Sequence, residues 1–156
     1  MIKPTRIALL LAALCLAVTP AFGDSYLKRE RIGLPDDVKA IFMAQMLGHV
    51  VALDGVVTAL GQGDYAGAAE IAATEMGSPR LADTGGKTGP GLGVGEHMPE
   101  RFRVIARDFR AAANDFAALA RTMPRTPSDG QHRALAAALG AITTQCRICH
   151  DTFQVE

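Results

Sequence analysis

Three long segments of this chain carry apolar residues at steps of three and four, a period that fits helices and excludes extended strands. Over 36–60 the stripe is Val38, Phe42, Met46, Val50, Leu53, Val57 and Leu60. Over 99–123 it is Phe102, Ile105, Phe109, Ala112, Phe116 and Leu119, and over 128–153 it includes Leu135, Leu139 and Ile142. A shorter helix is expected over 64–76, closed by Gly77 and Pro79. The boundaries agree with the chemistry of helix ends. Pro35 precedes the first helix, and Asp36 and Asp37 favour its positive end. Gly61-Gln62-Gly63 stops it, Pro99 suits the first turn of the third helix, and Ser128 with Gln131 forms a capping box for the fourth. The chain is rich in alanine, has no Trp and only 5% aromatic residues, which suits closely approaching helices better than a β-sandwich. The expected fold is all-α: a four-helix up-down-up-down bundle.

The stretch 77–97 breaks this pattern. It has no apolar period and holds six glycines between positions 85 and 95. A structureless loop of that length is uncommon and points to a functional or mobile segment.

The first 23 residues are expected to lie outside the fold. Lys3 and Arg6 make a positive start, an apolar run covers 7–18, Pro20 breaks it, and Ala21-Phe22-Gly23 offers small residues where a signal peptidase reads. A membrane anchor would need about 20 apolar residues, more than this run supplies. Leu14 before Cys15 is a poor match to a lipoprotein signal. The expected organisation is therefore a signal peptide over 1–23, export to the periplasm, and one domain over 24–156. Loss of Lys3 and Arg6 leaves 14 basic against 16 acidic residues, a net charge near −2. Nothing in that balance recommends nucleic acid as a partner.

Cleavage would also remove Cys15, leaving Cys146 and Cys149 within Cys146-Arg147-Ile148-Cys149-His150. Paired cysteines in an oxidising compartment ordinarily mean a disulfide, but the adjacent histidine changes the reading. CxxCH is the pattern of c-type haem attachment. Two thiols separated by two residues can each add to a vinyl group on one porphyrin edge, and the histidine then supplies the proximal nitrogen to iron. On a helix the three side chains fall at i, i+3 and i+4, on one face. A thioredoxin-like site would want a βαβ setting, and a zinc site would want two further ligands.

Four amphipathic helices with this motif near the C-terminus resemble the class II cytochromes c, the cytochrome c prime family and its low-spin relatives. The residues that carry the resemblance are Cys146-Arg147-Ile148-Cys149-His150-Asp151-Thr152-Phe153, with the acidic residue and aromatic after the histidine, and methionines on the first helix. The short second helix and the glycine-rich loop depart from the family pattern. The resemblance implies one covalent haem c, held by Cys146 and Cys149 with His150 proximal. It also implies redox proteins as partners and leaves room for a homodimer.

In such a bundle the first and fourth helices are antiparallel, so the motif lies level with the first half of helix 36–60. Met43, Met46 and His49 are the candidates there for the sixth iron ligand. Met46 sits on the apolar stripe and is the expected one; Met76, His97 and Met98 fall at the same end. Arg101, Arg103, Arg107 and Arg110 crowd the first half of the third helix; Arg101 and Arg103 are placed to meet the haem propionates, or else Arg103 and Arg107 pair on the helix surface with carboxylates such as Asp108 or Glu100. Two function classes remain. A one-electron carrier needs two protein ligands on iron. A gas-binding (NO/CO) cytochrome c prime-like protein needs an open sixth position. An enzyme would need distal acid–base groups beside the iron, for which His49 is the one candidate considered; the carrier is the expected function and no enzymatic activity is expected.

Overall fold

The computed structural model describes residues 28–77 and 93–156. The expected signal peptide over 1–23 and the central part of the glycine-rich loop lie outside the described residues. The described residues are mostly helical and form four α-helices, compatible with an all-α bundle.

A short strand β1 (Glu30–Ile32) leads to α1 (Asp36–Gly61). Pro35 stands at its N-terminal boundary, and Asp37 accepts a hydrogen bond from the Val38 amide at 2.9 Å. Gly63, with φ of 73°, turns the chain into α2 (Tyr65–Ile71), which Asp64 caps by accepting from the Gly67 amide at 2.8 Å. The expected helix over 64–76 is here corrected: its α-helical part stops at Ile71 and a π-helical turn, Ala72–Gly77, completes it. Gly77 is buried against Asn114, whose side-chain amide donates to the Gly77 carbonyl at 3.1 Å, so tertiary packing fixes this turn. A 3-10 turn (Val94–His97) precedes α3 (Glu100–Arg121), and α4 (Asp129–Thr152) begins with the expected capping box between Ser128 and Gln131.

Neither strand was anticipated. Strand β2 (Phe153–Val155) follows directly on α4 and pairs in parallel with β1, Glu30 opposite Phe153 and Ile32 opposite Val155. Three-residue strands are too short to show a period, so no sequence signal marks them. The pairing ties the entry to α1 to the exit of α4, and Arg31 and Glu156 add an exposed ion pair at 2.8 Å.

The core has two parts. The larger is built on small residues: Ala52 and Ala59 of α1, Ala68, Ala69 and Ala72 of the second helix, and Ala113, Ala117 and Ala120 of α3 are all buried, with Phe116 and Ile142 filling the space between. Alanine faces let helix axes come close together. The smaller part, at the strand end, gathers Ile32, Val38, Phe42, Val94, Met98, Ile105 and Phe153. Its aromatic rings meet edge to face, Phe42 to Phe102 at 5.9 Å and Phe102 to Phe153 at 5.6 Å.

The stripe expected on the first helix is corrected in part. Val38 and Phe42 are buried, but Val50 is 64% and Val57 52% exposed, while Ala52, Val56 and Ala59 are buried in their place. Helix α1 is apolar on nearly every side, so periodicity alone did not define which side faces the core. The alanine faces of its neighbours select the small-residue side. By length and composition alone α1 is also long and apolar enough to cross a membrane, with a mean hydropathy of 1.7 over its most apolar window.

Candidate functional site

Helix α3 packs along α4, and α2 with its π turn packs against both α1 and α3, whereas α1 and α4 barely touch. Between α1 and α4 lies an apolar cavity of about 430 Å³. That volume falls within the range of small-molecule and cofactor sites.

The motif residues form one wall. Cys146, Cys149 and His150 all line the cavity, together with Ile142 and Gln145 from the same face of α4. Both cysteines are half-buried free thiols, and His150 is exposed. Cys146 packs against the alanine-rich core and Cys149 against the aromatic one, so the motif sits where the two parts of the core meet. At the end of α4, Thr152 donates back to the Ile148 carbonyl of the same helix at 2.7 Å, and Arg29, from ahead of β1, reaches the His150 carbonyl at 3.4 Å.

The opposite wall is α1, which contributes Met43, Met46, Leu47, His49, Val50 and Leu53. Met43, Leu47 and Val50 are among the most exposed apolar residues of the chain, so the cavity opens to the surface along this edge. Met46 is half-buried beside the aromatic core, and the His49 ring lies tilted against Phe109 at 4.9 Å. Phe102, Ile105 and Phe109 of α3 form the back, with Met76 from the π turn.

The expected site residues thus separate into those brought together and those not. Cys146, Cys149, His150, Met46, Met43, His49 and Met76 share the cavity. Met98 is buried in the aromatic core and His97 is exposed, both off the cavity wall. Arg101 is exposed and off the wall too. Arg103 lines a second, adjoining cavity, where Arg107 and Arg110 accompany it. Positions 103, 107 and 110 stand at i, i+4 and i+7, the spacing of a single helix face, and the pairing with Glu100 expected for Arg103 and Arg107 is present, at 2.7 Å and 3.4 Å.

Burial pushes the Cys146 thiol up from its ordinary pKa, and burial, followed by the neighbouring Cys146, pushes the Cys149 thiol up to about 11. Both are therefore neutral thiols at neutral pH. Cysteines that act as redox or catalytic nucleophiles have their pKa lowered by cationic or helix N-terminal surroundings, the opposite of what this wall provides. Among the described residues, no three His, Cys, Asp or Glu side chains converge so as to hold a bare metal ion.

No protein-family model, curated protein or solved structure matches the chain.

Proposed function

We propose that this protein is an exported one-electron carrier of the class II cytochrome c kind, an up-down-up-down bundle with one covalent haem between α1 and α4. The observation that carries the reading is the placing of Cys146, Cys149 and His150 on one wall of an apolar cavity whose facing wall holds Met46.

The residues fit the group in three respects. The lining is almost wholly apolar, which suits a porphyrin face and excludes water from the iron. The two thiols stand on the cavity wall, where each can add across a vinyl group, the sulfur bonding to one vinyl carbon and the proton ending on the other. His150 follows directly and would hold the iron through a ring nitrogen, and the Met46 thioether on α1 would be the second protein ligand. When bound, the haem supplies a reversible ferric–ferrous couple, and methionine–histidine ligation favours the ferrous state. The chain's own contribution is to hold both ligands on rigid helices, so that little moves when one electron arrives or leaves. The exposed edge formed by Met43, Leu47 and Val50 gives a partner protein close approach to the haem edge.

The test is expression of the full chain alongside a complete haem maturation system. The expected product weighs the chain from Asp24 plus one haem, and its colour survives acid–acetone extraction. Free thiols at Cys146 and Cys149 in that product refute the reading. Ferric wild type is expected to be low-spin, and Met46→Ala to become high-spin and to bind carbon monoxide. An unchanged low-spin mutant moves the sixth ligand to His49 or Met43. A high-spin wild type replaces the carrier by a gas-binding protein.

A further inference from the structure

Helix ends fray, because the last carbonyls of a helix have no partner within it. His150 stands in that last turn of α4, which ends at Thr152. It is also exposed, so packing around its ring does little to fix it. Yet the carbonyls of this turn are satisfied one after another. The Thr152 hydroxyl donates to the Ile148 carbonyl at 2.7 Å, and the Phe153 amide donates to the Cys149 carbonyl. The His150 carbonyl accepts from the guanidinium of Arg29 at 3.4 Å, across 121 positions of sequence. A cationic donor there also suits the negative end of the helix.

The chain beyond His150 is fixed as well. Phe153 is 5% exposed and meets Phe102 edge to face at 5.6 Å, and Phe102 lines both cavities. Strand β2 lies in register beside β1, with Arg31 opposite Gln154 between the outer two pairs. The Glu156 amide extends the ladder by donating to the Ile32 carbonyl at 3.1 Å. Bonding groups alternate along a strand, so Gln154 turns its amide toward β1 as Glu156 does. Ile32 is buried and seats β1 in the aromatic core. A tie that served stability alone could join the two ends of the fold anywhere. This one begins where α4 ends and reaches back to the His150 carbonyl itself.

We propose that the β1–β2 clasp, together with Arg29, is the positioning device for His150. It fixes the last turn of α4 so that the imidazole meets the iron in one geometry. The proposal rests on the haem reading above. In that reading, thioethers at Cys146 and Cys149 tie the chain on one side of His150, and β1 ties it on the other. Groups behind a metal ligand ordinarily orient it through its ring; here the hold is on the backbone. A ligand on a frayed turn would take up several geometries, and each electron transfer would then have to rearrange it.

The experiment uses the mature haem-loaded protein and two variants. Arg29→Met keeps the length of the side chain but removes the donor. Gln154→Pro removes a ladder amide, and Phe153 before it already has the extended backbone that a following proline demands, with φ of −124° and ψ of 154°. Electron paramagnetic resonance of the ferric protein reports, in its line widths, the spread of ligand geometries at the iron. Electron self-exchange followed by NMR reports how much must rearrange. Both variants are expected to broaden the lines and slow the exchange. Arg29→Lys keeps a cationic donor and should return both readouts to wild-type values. Val56→Ala loosens the alanine-rich core and should leave the lines unchanged, which separates positioning from loss of stability. Wild-type lines in either haem-loaded variant overturn the proposal and leave the haem reading intact. So do lines broadened equally by Val56→Ala. Wild type that carries free thiols and no haem refutes the haem reading, and the positioning role with it. Should Gln154→Pro not accumulate, Glu156→Pro removes the outermost ladder bond and carries the same test. Its control is Glu156→Gln, which gives up the exposed ion pair with Arg31 at 2.8 Å but keeps the amide.

Discussion

Val56 and Val57 are neighbours on α1, yet the structure gives them opposite fates: Val56 is 0% and Val57 52% exposed. Replacing each by alanine is the sharpest test of how this helix is seated. The substitution removes two methylene equivalents, worth about 0.8 kcal/mol each when fully buried. At Val56 the transfer loss is then about 1.6 kcal/mol, and the cavity left among Ala-rich neighbours that cannot close in adds about 1 kcal/mol. Alanine is the better helix former by about 0.5 kcal/mol, which offsets part of this. The expected net cost of Val56→Ala is about 2 kcal/mol, or a fall in Tm of roughly 5–10 °C for a domain of this size. At Val57 half the side chain is already in water, no closed cavity forms, and the gain in helix propensity nearly cancels the loss. Val57→Ala is expected to lie within about 0.5 kcal/mol of wild type. Urea unfolding followed by circular dichroism measures both, with the slope checked to be unchanged so that midpoints report stability. If Val57→Ala costs as much as Val56→Ala, the buried face of α1 is the periodic stripe and the reasoning from the alanine faces is wrong.

Ser128→Ala should cost about 1 kcal/mol by removing the cap of α4, where the Ser128 hydroxyl accepts from the Gln131 amide at 3.3 Å; Asp at the same position should recover most of it in the same unfolding assay. Gly77→Ala would drive a methyl group into the side chain of Asn114 and break its hydrogen bond to the Gly77 carbonyl, so a loss of about 1–2 kcal/mol is expected; an Asn114→Ala background should remove most of the penalty, and equal penalties in both backgrounds would exclude the clash as its cause. Arg147→Glu reverses an exposed charge between Cys146 and Cys149 and, on the proposed carrier function, should slow electron exchange with an acidic partner, more at low than at high salt, in stopped-flow measurements; salt-independent exchange by wild type would remove Arg147 from partner recognition.

Much of the helical framework could be read directly from sequence because helix ends and faces are local events. Pro35 with Asp36 and Asp37, the Gly61-Gln62-Gly63 stop and the Ser128 capping box depend on neighbours within one turn, and each boundary stands within a residue or two of its expected place. The grouping of Cys146, Cys149 and His150 on one face is local in the same sense, since helical geometry alone puts i, i+3 and i+4 together. The stripe on α3 followed its period because that helix is strongly two-sided: Ile105, Phe109 and Phe116 are buried while Arg101, Arg103 and Arg107 are exposed.

What the tertiary structure decided are choices that depend on a partner distant in sequence. An all-round apolar helix such as α1 has no preferred side until alanines of the second helix select Ala52, Val56 and Ala59. The π turn at Ala72–Gly77 is set by the bond from Asn114, 37 residues away. The pairing of β1 with β2 joins segments more than a hundred residues apart through backbone hydrogen bonds, which carry no side-chain signature. The two cavities have the same origin: the motif, the methionines of α1 and the arginine face of α3 are each visible as local patterns. That α1 and α4 stand apart, with Met46 and Cys146 facing one space, follows from how α2 and α3 pack between them, because packing of non-local faces, and not local propensity, sets the distance between helices.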